Sequence, residues 1–275
     1  MRGPNILARS MSIATQRGKS LREWQYHSRS DSHSKVACWT LLFDLLHECD
    51  AIRTAAEQGR LGFGINHTMR GAINKKLDLV LTVLPASQKP GKRATFAFHV
   101  SKWGVALSDE DRAALGRLPV LHAQRSDDIS EVAIAIEAKA CMTEHVKSLP
   151  RLHAEILATG YLAKRASPNC ISAAYTLVNA APTFVTPSAK STVNRHKQPD
   201  AARRVVEMLS QAVPTASDSA GYGYDAIGTT VIDCRNDGSQ VLVIHDDPAP
   251  STTEHTHYEQ MVVSLGAAFR QRFRF

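Results

Sequence analysis

The chain lacks the features that would make several protein classes easy to name. None of its 275 residues form a run approaching the roughly 18–20 uninterrupted apolar residues of a membrane span. Its five cysteines (Cys38, Cys49, Cys141, Cys170, Cys234) are odd in number, widely spaced and without a CxxC pair. That pattern argues against a disulfide scaffold or a cysteine zinc site, and for a reducing cytoplasm. There is no GxSxG elbow, and the glycine-bearing stretch at 221–228 is not followed by GK[ST]. "GYGYDAIG" (221–228) has glycines without a strand–turn–helix context and reads as a loop before a hairpin. His255 and His257 open the last helix without further ligands nearby, and Cys141 and His145 have helical spacing without an orienting partner. No internal repeat or second domain is evident.

What is present is an ordinary globular composition, 43% apolar and 21% charged, with a net charge of +7. That length and apolar content suffice for one large core without covalent staples. The basic balance favours a polyanion, nucleic acid above all. Residues 1–32, rich in Ser and Arg and poor in acids, are expected to be a basic flexible arm, and residues 33–275 a single domain. Residues 33–58 carry helical periodicity, with Trp39, Leu42, Leu45, Leu46 and Cys49 on one face and Asp44 and Glu48 away from it. "KKLDLVLTVL" (75–84) is strand-like, the polar turn 85–93 follows, and "ATFAFHV" (94–100) is a second strand candidate. "SDEDRAALG" (108–116) has the start and stop signals of a short capped helix. A strand is expected at 132–140, a long helix at about 142–166, a buried strand at 170–181 and an amphipathic helix at 199–213. A C-terminal hairpin with an Asp-Gly turn and a final helix complete the pattern.

The chemistry concentrates in "VAIAIEAKAC" (132–141), where Glu137 and Lys139 interrupt a strand of Val, Ile and Ala. Side chains two apart on a strand share a face, and a buried charge is costly unless paired or bound to a metal. Asp78 interrupts a second apolar run in the same way. If the two strands are neighbours, Asp78 and Glu137 can share a divalent cation through hard oxygen ligands, their carboxylates about 4–6 Å apart. Lys139 then stands beside it, able to orient water or hold a phosphate oxygen.

"LD(78)LVL … IE(137)AK(139)A" resembles the PD-(D/E)XK nuclease superfamily, which includes most type II restriction endonucleases. Leu77 stands in place of the motif's proline, and the resemblance spans about residues 33–181. It implies an α/β fold: a restriction-endonuclease-like core with a central mixed β-sheet flanked by helices, here followed by the C-terminal hairpin and helix. It implies Mg2+ held by Asp78, Glu137 and the backbone carbonyl of Ala138, with Glu48 as an acid joining from the first helix. It further implies catalysis by Asp78, Glu137 and Lys139 on double-stranded DNA, a homodimer for cutting both strands of a palindrome, and a companion DNA methyltransferase encoded nearby. The alternatives are a repair or recombination nuclease with the same residues, a non-catalytic DNA-binding protein on a nuclease-like core, and a plain α/β protein whose Asp–Lys–Glu set is an ion-pair network.

Overall fold

A computed structural model describes residues 1–17, 23–69, 75–84, 94–124, 131–143, 145–187, 191–211 and 224–275. In chain order the elements are α1 (Gly3–Met11), β1 (Gln16–Arg17), β2 (Glu23–Trp24), α2 (Ser32–Glu48), α3 (Asp50–Glu57), β3 (Leu61–Met69) and β4 (Lys75–Val83). Next come α4 (Phe98–Trp103), α5 (Asp109–Leu115), β5 (His122–Ala123), β6 (Glu131–Cys141), α6 (His145–Ala166) and β7 (Ile171–Asn179). The remainder is β8 (Thr183–Val185), β9 (Val193–Arg195), α7 (Asp200–Gln211), β10 (Ala226–Asp233), β11 (Leu242–Ile244) and α8 (Tyr258–Arg272). The turn at 85–93 and the first three residues of 221–228 lie outside the described residues.

The expected α/β class and mixed central sheet are what the chain forms. Seven strands lie in the order β11-β10-β7-β6-β4-β3-β5. β3, β4 and β6 are an antiparallel meander, β7 and β10 run parallel to β6, and β11 turns back as the expected hairpin. Strands buried on both faces read as continuous apolar runs, and every residue of β7 is buried.

One face of the sheet is covered by α2 and α8, where Trp39, Leu42, Phe43, Met261, Leu265 and Phe269 share a core with Ile134, Ile136 and Ala138 of β6. The other face is covered by α6 and α7, where Leu152, Ile156, Val205 and Leu209 pack on Ala174, Val178 and Ile227. No helix among the described residues is long and apolar enough to cross a membrane.

Four expectations are corrected. Residues 3–11 are not a flexible arm but α1, whose Ile6 and Leu7 are fully buried. Its short apolar face was hidden by the Ser/Arg composition around it. The carboxylate of Asp44 accepts the Arg2 and Gly3 N–H groups at 3.0 and 2.8 Å, so α2 itself caps α1. A Cβ on Gly3 would fall 2.7 Å from Asp44 Oδ2, which fixes glycine there. Asp44 is therefore fully buried rather than turned away from the core. The helix at 33–58 is two helices, because Cys49 adopts an extended conformation between α2 and α3. The strand expected at 94–100 gives way to α4, which ends on Gly104 in the left-handed region at φ 65°. By contrast, α5 carries the full capping box between Ser108 and Asp111.

Candidate active site at the split between two strands

The pairing of β4 with β6 ends at Leu79 opposite Ile136. On its other edge β4 stays paired with β3 as far as Lys75, and β6 stays paired with β7 as far as Cys141. The register of β4 with β6 therefore stops there, while β6 runs on through residues 137–141 paired with β7. One step past the last pair stand Asp78 on β4 and Glu137 on β6, neighbours across the mouth of this split. Where backbone pairing stops, a side chain takes over: Asp78 Oδ2 accepts the N–H of Ala138 at 2.8 Å. An unpaired strand N–H is costly to leave, so an aspartate at this position closes the gap.

Glu137 and Lys139 project from β6 toward α6, and Ala138 between them packs into the opposite core. The Glu137 side chain is only 3% exposed, against 24% for Lys139. Lys139 Nζ lies 2.6 Å from Glu137 Oε1 and 2.9 Å from Glu155 Oε2 on α6. Glu155 in turn holds Arg151 Nε at 2.7 Å, through its other oxygen. Glu155 thus links the exposed charge of Arg151 on α6 to the strand motif. Burial disfavours the Lys139 ammonium, but the two carboxylates outweigh it and raise its pKa above the ordinary value. Glu155 is shifted down: burial opposes its charge, and Arg151 and Lys139 prevail.

Two further side chains register both carboxylates. The Cys38 thiol of α2 is pushed well up by burial and then by the charges of Asp78 and Glu137. The buried Tyr224 phenol is raised by burial, then by Glu137, with Asp78 adding to it. Beside the split, Asn66 of β3 takes a positive φ of 56° and donates to Asp31 Oδ2 at 3.0 Å, tying the start of α2 to the strands.

Of the residues singled out in the sequence, Asp78, Glu137, Ala138 and Lys139 are brought together. Glu48 is not. It is exposed, pairs with His47 at 3.0 Å, and lies ten residues, or about 15 Å of helix, beyond Cys38 on α2. Sequence reasoning missed the contact of Glu155 with Lys139, because spacing reveals neighbours along a helix and not across to a strand. Among the described residues no group of three or more His, Cys, Asp and Glu side chains is placed to hold a metal ion.

No family model, curated protein or solved structure matches the chain. The functional reading therefore rests on the site itself.

Proposed function

We propose that the chain is a magnesium-dependent nuclease acting on double-stranded DNA in the cytoplasm, built on a restriction-endonuclease-like core. The observation that carries this reading is the split between β4 and β6, with Asp78 and Glu137 at its mouth and Lys139 two residues along. The element order supports it: a helix, a three-stranded antiparallel meander, a helix, and a strand parallel to the last of the three. The net charge of +7 suits a polyanionic substrate.

The donor chemistry fits magnesium, which is commonly held by one or two carboxylates together with substrate phosphate oxygens and water. Asp78, anchored by the Ala138 N–H, and Glu137 would contribute carboxylate oxygens from the two strands, with the Ala138 carbonyl a third oxygen on β6. A magnesium ion there would lower the pKa of a water and stabilise charge on the phosphorus oxygens. Lys139, partly exposed beside the buried Glu137, holds a non-bridging phosphate oxygen or orients the attacking water. The Ala138 N–H bond holds the Asp78 carboxylate in place at the mouth of the split, which limits its reorganisation on binding. A homodimer acting at a palindrome, with a methyltransferase partner, is the form this activity takes in a restriction system.

The two ion pairs of Lys139 favour a second reading, a purely structural charge network. Lys139→Ala separates the two. For a nuclease the variant folds and still binds duplex DNA in calcium, while cleavage in magnesium falls by about 10²–10³. Glu137→Ala instead weakens the response to magnesium, and excess magnesium or manganese partly restores cutting. Plasmid cleavage by Lys139→Ala at the wild-type rate would sink the nuclease reading.

A further inference from the structure

We propose that Glu155 is the positioning residue for Lys139, the group that fixes where the ammonium stands once Glu137 is engaged by a cation; this rests on the nuclease reading above. Glu137 and Lys139 are two apart on one strand, so their 2.6 Å pairing is local. It moves with β6 and leaves the lysine's flexible stem free to swing away as soon as Glu137 is drawn to another positive charge. Glu155 comes from a different element. Its Oε2 lies 2.9 Å from Lys139 Nζ and ties the strand motif to α6.

The line of charges Glu137–Lys139–Glu155–Arg151 alternates in sign and runs outward, the side chains rising from 3% through 24% and 31% to 82% exposure. A cation shared by Asp78 and Glu137 would compete with Lys139 for one carboxylate. Glu155 supplies the second, so Lys139 does not have to leave. Arg151, holding the other Glu155 oxygen at 2.7 Å, keeps that carboxylate turned toward the strand. Burying an ammonium between two carboxylates gives it one location, and a defined location is what a catalytic amine requires.

Two measurements on the full chain test this. The first is the rate at which an amine-acylating reagent labels Lys139, followed by mass spectrometry on metal-free protein. Glu155→Gln keeps the shape and removes the charge, and labelling is expected to rise about threefold or more as the amine loosens. The second is steady-state DNA cleavage, in which Glu155→Gln should lower kcat about tenfold to a hundredfold with KM nearly unchanged. Glu155→Asp, which retains the charge, should recover part of that loss. If Glu155→Gln melts early, Arg151→Ala serves in its place, with smaller changes in the same directions. Unchanged labelling overturns the proposal, and so does faster labelling with an unchanged kcat. If the wild-type chain cuts no DNA, the nuclease reading has failed instead, and labelling alone decides whether Glu155 positions the lysine.

Discussion

Two of the carboxylates buried among the described residues, Asp44 and Glu137, are satisfied in opposite ways. Asp44, fully buried on α2, accepts the N–H groups of Arg2 and Gly3 and the Tyr258 hydroxyl at 3.0, 2.8 and 3.0 Å. Its close hydrogen-bond partners are neutral dipoles. Burial raises its pKa despite the three hydrogen bonds, which pull the other way. Glu137, 3% exposed, faces a full positive charge on Lys139 instead. Dipoles fixed in the backbone cannot leave, so Asp44 acts as permanent cement between α1, α2 and α8. An ammonium on a flexible stem can be displaced or shared, which is what the proposed role of Glu137 requires. Burial alone does not mark a functional acid; the kind of partner does.

The sharpest way to break this comparison is Asp44→Ala. It strands two backbone donors and the Tyr258 hydroxyl inside the protein, at about 1–3 kcal/mol each. Denaturant unfolding should show a loss of about 3–5 kcal/mol, and a loss under 1 kcal/mol would show that α1 is not anchored there. Glu137→Gln should be milder, no more than about 2 kcal/mol, because Lys139 keeps Glu155 and some solvent. On the proposed nuclease function, Glu137→Gln should nevertheless abolish plasmid cleavage. Equal destabilisation by the two substitutions would make Glu137 cement as well.

Asp225 tests the ion-pair type away from the site. It accepts the Ser172 N–H at 2.8 Å, and it pairs with Arg272 and with Lys164. Burial opposes its charge, but these partners lower its pKa below the ordinary 3.8. A carboxylate depressed in the folded state contributes stability above pH 3.8 that is lost as pH falls through the lower folded value. Asp225→Asn should therefore be less stable than wild type at neutral pH, and the gap should close in acid. A gap independent of pH would remove the electrostatic explanation. The smallest effect belongs to Arg151→Ala, at the most exposed end of the charge line. No measurable shift in melting temperature is expected by calorimetry; a shift of several degrees would assign Arg151 a packing role.

Much of the sheet was legible because alternation and apolar runs are local. The strands carrying Asp78 and Glu137, the long helix after them and the C-terminal hairpin all follow from period and turn residues. The conspicuous charges in apolar strands were legible too, and the structure brings Asp78, Glu137 and Lys139 close together on neighbouring strands. What could not be read was tertiary. Asp44 and Glu48 both sit on α2, and periodicity gave no sign that α1 would dock on the first and leave the second in solvent. Residues 94–100 have strand composition, yet Trp39 Nε1 donates to Phe96 O at 3.1 Å and the chain turns into α4 beneath it. Spacing could place Glu155 beside Arg151 but could not aim it at Lys139, since that requires knowing how α6 lies across β6.

The Asp44–Tyr258 bond joins positions 214 residues apart. A ribosome adding about 5–20 residues per second delivers the second partner roughly 10–40 s after the first. By the later part of that interval β3, β4, β6 and β7 have been synthesised, while the side of α2 that α8 will cover still has no shelter. The nascent chain thus carries a nearly complete sheet with one greasy flank open, the state in which a holdase chaperone binds and aggregation competes. Slower synthesis of residues 180–257 is then expected to lower the yield of this protein in a cell without any change in its final stability.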